Sequence, residues 1–141
     1  MHASEDTAEQ IAALLEGIVR RQRRATKDGV GASVTHGQFR LLRTLDQADR
    51  ALRLSELATQ LGIVPRSATS VVDDLESAGL VARRPDPGDR RATLVTLTPA
   101  GTEVLTTIRR TRRDAMVTLV ARLTPEEQST LHHLLTRLAQ D

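Results

Sequence analysis

The stretch from Leu54 to Thr98, LSELATQLGIVPRSATSVVDDLESAGLVARRPDPGDRRATLVTLT, decides the fold. It opens as two short helices meeting at a tight turn. Ser55 reads as the N-cap of the first, whose apolar stripe is Leu57, Ala58 and Leu61. Gly62 closes it, as a residue free to adopt positive φ closes a helix. Pro65 suits the first turn of the next helix, where a missing N–H costs nothing. That helix buries Ala68, Val71, Val72 and Leu75 and stops at Gly79. Helices that cross steeply need a small side chain at the contact, which Ala58 supplies, and a turn without Cβ strain, which Gly62 supplies. Leu57, Leu61, Ile63, Ala68 and Val71 fill the angle between them. The periodicity then changes: Leu80 to Arg84 and Thr93 to Thr98 are short runs rich in Val, Leu and Thr. Between them Pro85-Asp86-Pro87-Gly88-Asp89 is a dense turn signal, so the segment predicts a β-hairpin with an Arg-rich tip. Any two helices at a corner can imitate a helix-turn-helix. One followed at once by an Arg-tipped hairpin reads as a winged helix.

Outward from this stretch the pattern is helical on both sides. Upstream, Thr35 and Gln38 form a capping box, and Phe39, Leu42 and Leu45 make the stripe of a helix ending near Ala48. A polar loop is expected from there through Arg53. Before it, Ile11, Leu14, Leu15, Ile18 and Val19 predict a helix over 5–27, broken by Gly29 and Gly31 within 28–34. Downstream, Thr98-Pro99 opens a long helix to about Arg122 with Val104, Leu105, Ile108, Ala115, Leu119 and Val120 as its apolar positions. Thr124-Pro125-Glu126-Glu127 opens a last helix carrying Leu131, Leu134, Leu135 and Leu138. The expected fold class is mainly α with a small β-hairpin wing (α+β), one domain over 1–141. Within it, 35–98 is a winged helix-turn-helix lobe, and 5–27 with 99–140 is a helical lobe. The terminal stripes carry more apolar surface than the winged helix can cover, so a second copy of the chain is expected to cover them.

Composition narrows the chemistry. Of the 141 residues 39% are hydrophobic, yet Phe39 is the one aromatic, so the core must be Leu, Val, Ile and Ala. Cysteine is absent, which excludes disulfides, thiolate metal sites, cysteine nucleophiles and thiol redox sensing. The first residues are polar and acidic rather than basic and then apolar, and no run reaches membrane-spanning length, so a cytoplasmic protein without a membrane partner is expected. The net charge is +2, yet the pI is about 10.3 because every cation except Lys27 is Arg. The basic balance says less than its distribution, which clusters at Arg20 to Arg24, Arg83 and Arg84, Arg90 and Arg91, and Arg109 to Arg113. No nucleophile elbow, Gly-rich phosphate loop, metal-ligand spacing or paired carboxylate site suggests an enzyme. His132 and His133 are adjacent and diverge on a helix, so no metal and no cofactor are expected.

A winged helix reads double-stranded DNA with its second helix, whose N-terminal residues enter the major groove. The exposed polar residues there are Arg66, Ser67, Thr69 and Ser70, able to reach base edges and phosphates. Asp73, Asp74 and Glu76 in its C-terminal half would be repelled by phosphate, which orients the helix start toward DNA. Arg90 and Arg91 suit the minor groove or the backbone, with Asp89 beside them to hold an Arg of the wing in place. Ser55 and Arg84 complete the candidate DNA-contacting set.

The residues Leu57-Ala58, Leu61-Gly62, Val71, Asp73, Leu75-Glu76, Gly79-Leu80-Val81, Arg84, Asp86-Pro87, Asp89-Arg90-Arg91 and Leu97-Thr98 resemble the MarR family of bacterial regulators. The wing pattern Asp-Pro-x-Asp-Arg-Arg with a strand ending Leu-Thr is the most specific part, and the resemblance covers nearly the whole chain. It implies that the helices over 5–27, 99–122 and 125–140 interlock with a second subunit. It also matches Arg91 to the family's wing-tip Arg and Asp89 to its structural partner. Asp74 departs from the pattern, since many relatives carry a basic or amide residue there. The family commonly binds small, often aromatic and acidic effectors in a cleft, for which His36, Phe39 and Arg43 are the candidates here. The function expected is a sequence-specific DNA-binding transcriptional regulator, a repressor relieved by an effector, acting as a homodimer on a pseudo-palindromic operator. The alternative is a nonspecific DNA-coating or protein-binding winged-helix module without an effector.

Overall fold

The computed structural model describes residues 2–27 and 34–140, so most of the break expected over 28–34 lies outside the described residues. The elements in chain order are α1 (His2–Lys27), α2 (His36–Ala48), β1 (Leu52–Arg53), α3 (Leu54–Leu61), α4 (Pro65–Ser77), β2 (Val81–Asp86), β3 (Asp89–Leu97), α5 (Pro99–Val120) and α6 (Pro125–Leu138). They fall into two compact units: residues 30–109, and residues 1–29 with 110–141. No helix among the described residues is long and apolar enough to cross a membrane.

The unit over 30–109 is a winged helix. Its core is built from aliphatic side chains: Leu41 and Leu42 from α2, Leu57 from α3, Val72 and Leu75 from α4, and Leu105 from α5. Leu52, Val81 and Val95 close it from the strands, and all of these are essentially inaccessible. The chain's single aromatic, Phe39, is also buried there at 6% exposure. Both helices of the helix-turn-helix end in the way their glycines allow. Gly62 sits at φ 65 with Ile63 N–H donating to Ala58 O at 3.0 Å, and Gly79 at φ 77 with Leu80 N–H donating to Leu75 O at 2.9 Å. The capping box of Thr35 with Gln38 forms as expected.

Three expectations are corrected. The loop through Arg53 contains a strand: β1 pairs antiparallel with β3, Leu52 opposite Val95 and Arg53 opposite Leu94, giving a sheet ordered β1-β3-β2. Two residues show no periodicity of their own; the strand exists because Leu52 finds a buried place beside Val95. Ser55 is not a cap. Arg53 holds the N-cap position of α3, its N–H donating to Glu56 Oε1 at 3.0 Å, and Ser55 lies exposed inside the first turn. The hairpin turn is shorter than expected, because the strands run on to Asp86 and from Asp89, leaving only Pro87-Gly88 between them. The β2–β3 register then slips: Pro85 faces Thr93 but Asp86 faces Asp89, so Arg90, Arg91 and Ala92 have no opposing residue in β2.

Where β2, β3 and α5 meet, Thr98 donates its hydroxyl to Gly79 O at 2.6 Å and accepts from Gly101 N–H at 3.1 Å. A Cβ on Gly101 would collide with the backbone carbonyl of Leu80. Close backbone approach therefore requires glycine there.

The other unit holds α1, the end of α5, and α6, which opens on the capping box of Thr124 with Glu127. No residue of α6 is buried. Leu134, Leu135 and Leu138 are exposed, as are Ile11, Leu14, Leu15 and Val19 on α1 and Met116 and Val117 on α5. An apolar groove in this unit is lined by Met116, Val117, Val120 and Ala121, with Arg113 and Gln128 at its polar positions.

Candidate nucleic-acid interface

The reading helix α4 buries Ala68, Val72 and Leu75 and turns its other faces to solvent. Arg66, Ser67 and Ser70 are exposed, and no side-chain hydrogen bond or ion pair among the described residues occupies them. Thr69 is different: its hydroxyl donates to Pro65 O at 3.0 Å and is half-buried, so its polar group is used within the helix. Val64 caps α4 in extended conformation and, unlike Ser, Thr or Asp, gives no side-chain hydrogen bond.

The acidic half of α4 is not simply a repulsive surface. Arg83 on β2 reaches across to it, with Asp73 Oδ1 at 2.6 Å and Glu76 Oε1 at 3.1 Å from its guanidinium. Its backbone N–H also donates to Glu76 Oε2 at 3.1 Å. Burial opposes the charge on Arg83, but the hydrogen bonds it donates to Asp73 and Glu76 hold its pKa above the ordinary value. One guanidinium thus pairs with two of the three carboxylates, offsetting one of their two negative charges, and fastens the wing to the reading helix. Asp74 takes no part in these pairs and remains exposed.

The wing is held at its far end by Asp86. Its Oδ1 accepts from Gly88 N–H at 2.9 Å, closing the two-residue turn. Its Oδ2 accepts from Arg53 at 2.8 Å, tying the hairpin to the start of α3. The Gly88 amide, and after it the Arg53 guanidinium, hold the Asp86 carboxyl below its ordinary pKa. Arg50 does the same for Glu56 across the α3 N-terminus, through a hydrogen bond at 2.9 Å.

Arg84, Arg90 and Arg91 are exposed, and among the described residues no carboxylate lies within ion-pair distance of them. Asp89 accepts from the backbone N–H of Arg91 at 3.0 Å, so it holds the wing through the main chain rather than through a guanidinium. The slipped register frees the segment that bears Arg90 and Arg91 from pairing with β2. The structure therefore brings Arg66, Ser67 and Ser70 together on α4, and Arg90 with Arg91 on the unpaired segment of β3. It leaves Ser55 exposed on α3. Sequence reasoning missed Val64, Arg53 and the double role of Arg83. An apolar residue directly before an N1 Pro was a visible signal for the first, whereas the ion pairs join residues far apart in the chain. On α2, His36 is exposed in the first turn, and Arg43 lies 6.0 Å above the ring of Phe39, itself a core residue.

Comparison with known proteins places this geometry. The MarR family model matches residues 34–93, the unit just described from α2 into β3. The transcriptional repressor MdtR of Bacillus subtilis is 31% identical over 107 residues, covering 76% of this chain and 68% of that protein. In two further relatives by sequence the match spans only 63% of the relative's own length. The crystal structure of YusO from Bacillus subtilis superposes with a TM-score of 0.80 at 26% identity, covering 96% of both chains. A mutant MarR from Escherichia coli complexed with operator DNA gives a TM-score of 0.61 at 26% identity, covering 93% of this chain and 94% of that one. With its wing, its helix-turn-helix and its flanking helices all shared with these regulators, the chain belongs to the MarR family of transcriptional regulators.

Proposed function

We propose that the protein is a repressor that binds a pseudo-palindromic operator as a homodimer. The N-terminal half of α4 lies in the major groove and the Arg90–Arg91 segment of the wing lies against the minor groove or phosphates. The observation that carries this reading is the set of unpaired guanidinium groups on Arg66, Arg90 and Arg91, while neighbouring Arg53 and Arg83 are spent on carboxylates. Phosphate and base edges are the acceptors that exposed, unpaired Arg side chains of a winged helix meet. The similar mutant MarR of E. coli, solved in complex with operator DNA, supports an operator-binding role. Arg83 offsets part of the negative charge of Asp73 and Glu76, which lie in the C-terminal half of α4, away from Arg66.

A second copy of the chain covers the exposed leucines of α6 and the stripe of α1, so two reading helices meet two half-sites whose centres lie about one helical turn, ~10 bp, apart. The protein works in the cytoplasm. An acidic small molecule relieves repression by binding a DNA-incompetent arrangement better than the competent one. On α2 the exposed Arg43 offers it a cationic contact and the exposed His36 a hydrogen-bonding one, with the ring of Phe39 lying beneath Arg43.

Selection from a random-sequence DNA library followed by binding over a salt series tests the reading. The expected result is one enriched palindrome with steeply salt-dependent affinity. Arg91→Ala should weaken binding to all sequences and reduce the salt slope by about one, whereas Arg66→Ala should cost roughly 1–3 kcal/mol and relax preference at one position per half-site. Equal affinity for random DNA would make the protein a coating module instead.

A further inference from the structure

Among the described residues of the unit over 30–109, one large hydrophobic side chain is exposed: Val64, at 63%. The chain's other exposed large hydrophobics, such as Leu14, Val117 and Leu138, all lie in the unit that bears the terminal helices. A single exposed apolar residue is ordinary on any surface. Val64 is unusual because two unfavourable choices coincide there. It occupies the N-cap of α4, φ −69 and ψ 148, where Val ranks among the poorest residues and provides no hydrogen bond. Pro65 follows it, and no side-chain oxygen at the cap accepts from the first turn, whose Ser67 and Ala68 N–H groups donate to the backbone Val64 O at 3.0 and 3.2 Å. The position gives up both a cap and the shielding of its methyl groups, at the tip of the element that enters the groove. Its neighbours Arg66 and Ser67 are exposed on the same first turn.

The major groove offers one apolar group, the C5 methyl of thymine. We propose that Val64 is a specificity-determining residue whose methyl groups pack on the C5 methyl of one thymine in each operator half-site. This rests on the docking of α4 argued above. Val is suited to the task, because its branched side chain is held in few rotamers and loses little freedom on contact. Arg66 and Ser67 then supply the polar contacts around an apolar pivot, and the lost cap is the stability given up for a base preference.

The test uses the full-length protein and the DNA it enriches from a random library. Each thymine of that DNA is replaced in turn by deoxyuridine, which removes the methyl group and nothing else. The wild-type protein should lose about fourfold in affinity at one thymine per half-site, the value of one buried methyl group. Val64→Ser should be indifferent to the same replacement and Val64→Ala should respond less than the wild type, while Arg91→Ala should retain the full response. Circular dichroism confirms the fold of both Val64 variants, and Val64→Ser, which gains a capping hydroxyl, should melt above the wild type. The absence of any deoxyuridine-sensitive thymine in the wild type overturns the proposal without recourse to a variant. An unchanged response in both Val64 variants overturns it equally. If the wild type enriches no sequence at all, the operator reading fails first and this inference falls with it.

Discussion

At the scale of single residues, two glycines separate what the backbone needs from what it tolerates. Gly101 lies against the carbonyl of Leu80 and has no room for a Cβ, whereas Gly37 in the first turn of α2 has nothing within 4 Å of that position. Gly101→Ala should therefore destabilise by about 1–3 kcal/mol, since backbone rather than a flexible side chain must move. Gly37→Ala should stabilise by about 0.5–1 kcal/mol through lost freedom of the unfolded chain. Urea unfolding of the two variants against wild type distinguishes them by sign. Asp49 shows the opposite compromise: it ends α2 at φ 50, a left-handed conformation that favours glycine, and it does so as a non-glycine residue.

At the scale of elements, the wing is placed by two ion-paired arginines at its two ends, Arg83 to α4 and Arg53 to Asp86. The lowered pKa of Asp86 makes one of these anchors acid-sensitive. Its folded-state pKa lies below the unfolded value, so its contribution is complete above the ordinary value of 3.8 and is lost as pH falls through the depressed one. Glu56 and Glu127 are shifted in the same direction, the first chiefly by Arg50 and the second by the Thr124 amide. The urea midpoint should thus fall on acidification below about pH 4, and Asp86→Asn should flatten part of that fall while costing stability at neutral pH. An Asp86→Asn variant with the same pH profile as wild type would show that the Arg53 anchor contributes nothing.

At the scale of the molecule, the exposed leucines are where the proposed dimer can be tested. An α6 with no buried residue lacks the packing from which a helix of its length draws most of its stability. Leu135→Glu, at a position 44% exposed in the single chain, should convert a dimer to monomer in sedimentation velocity and lower the melting temperature. A wild-type protein that sediments as a monomer at micromolar concentration would remove the basis of the two-half-site operator.

What the chain determined by itself was local. Proline at the first turn of a helix, glycine past the end of one, Thr–x–x–Gln and Thr–x–x–Glu capping boxes and apolar residues at helical spacing all act within a few residues. The helices, the helix-turn-helix and the hairpin were therefore legible, as was the Arg-rich character of the wing. Tertiary structure alone decided what needs a partner from elsewhere. Leu52 becomes a strand because Val95 is beside it, Arg53 rather than Ser55 takes the N-cap position, and Asp86 answers Arg53 across 33 positions of chain. Arg83 turns two carboxylates from a repulsive patch into an anchor, which no spacing rule could show. The slip in register that leaves Arg90 and Arg91 without opposing residues falls between Pro85 and Asp86 and exists only once β2 and β3 are paired. Short-range sterics and capping are written in the order of residues, while pairing and charge compensation depend on which surfaces the folded chain brings together.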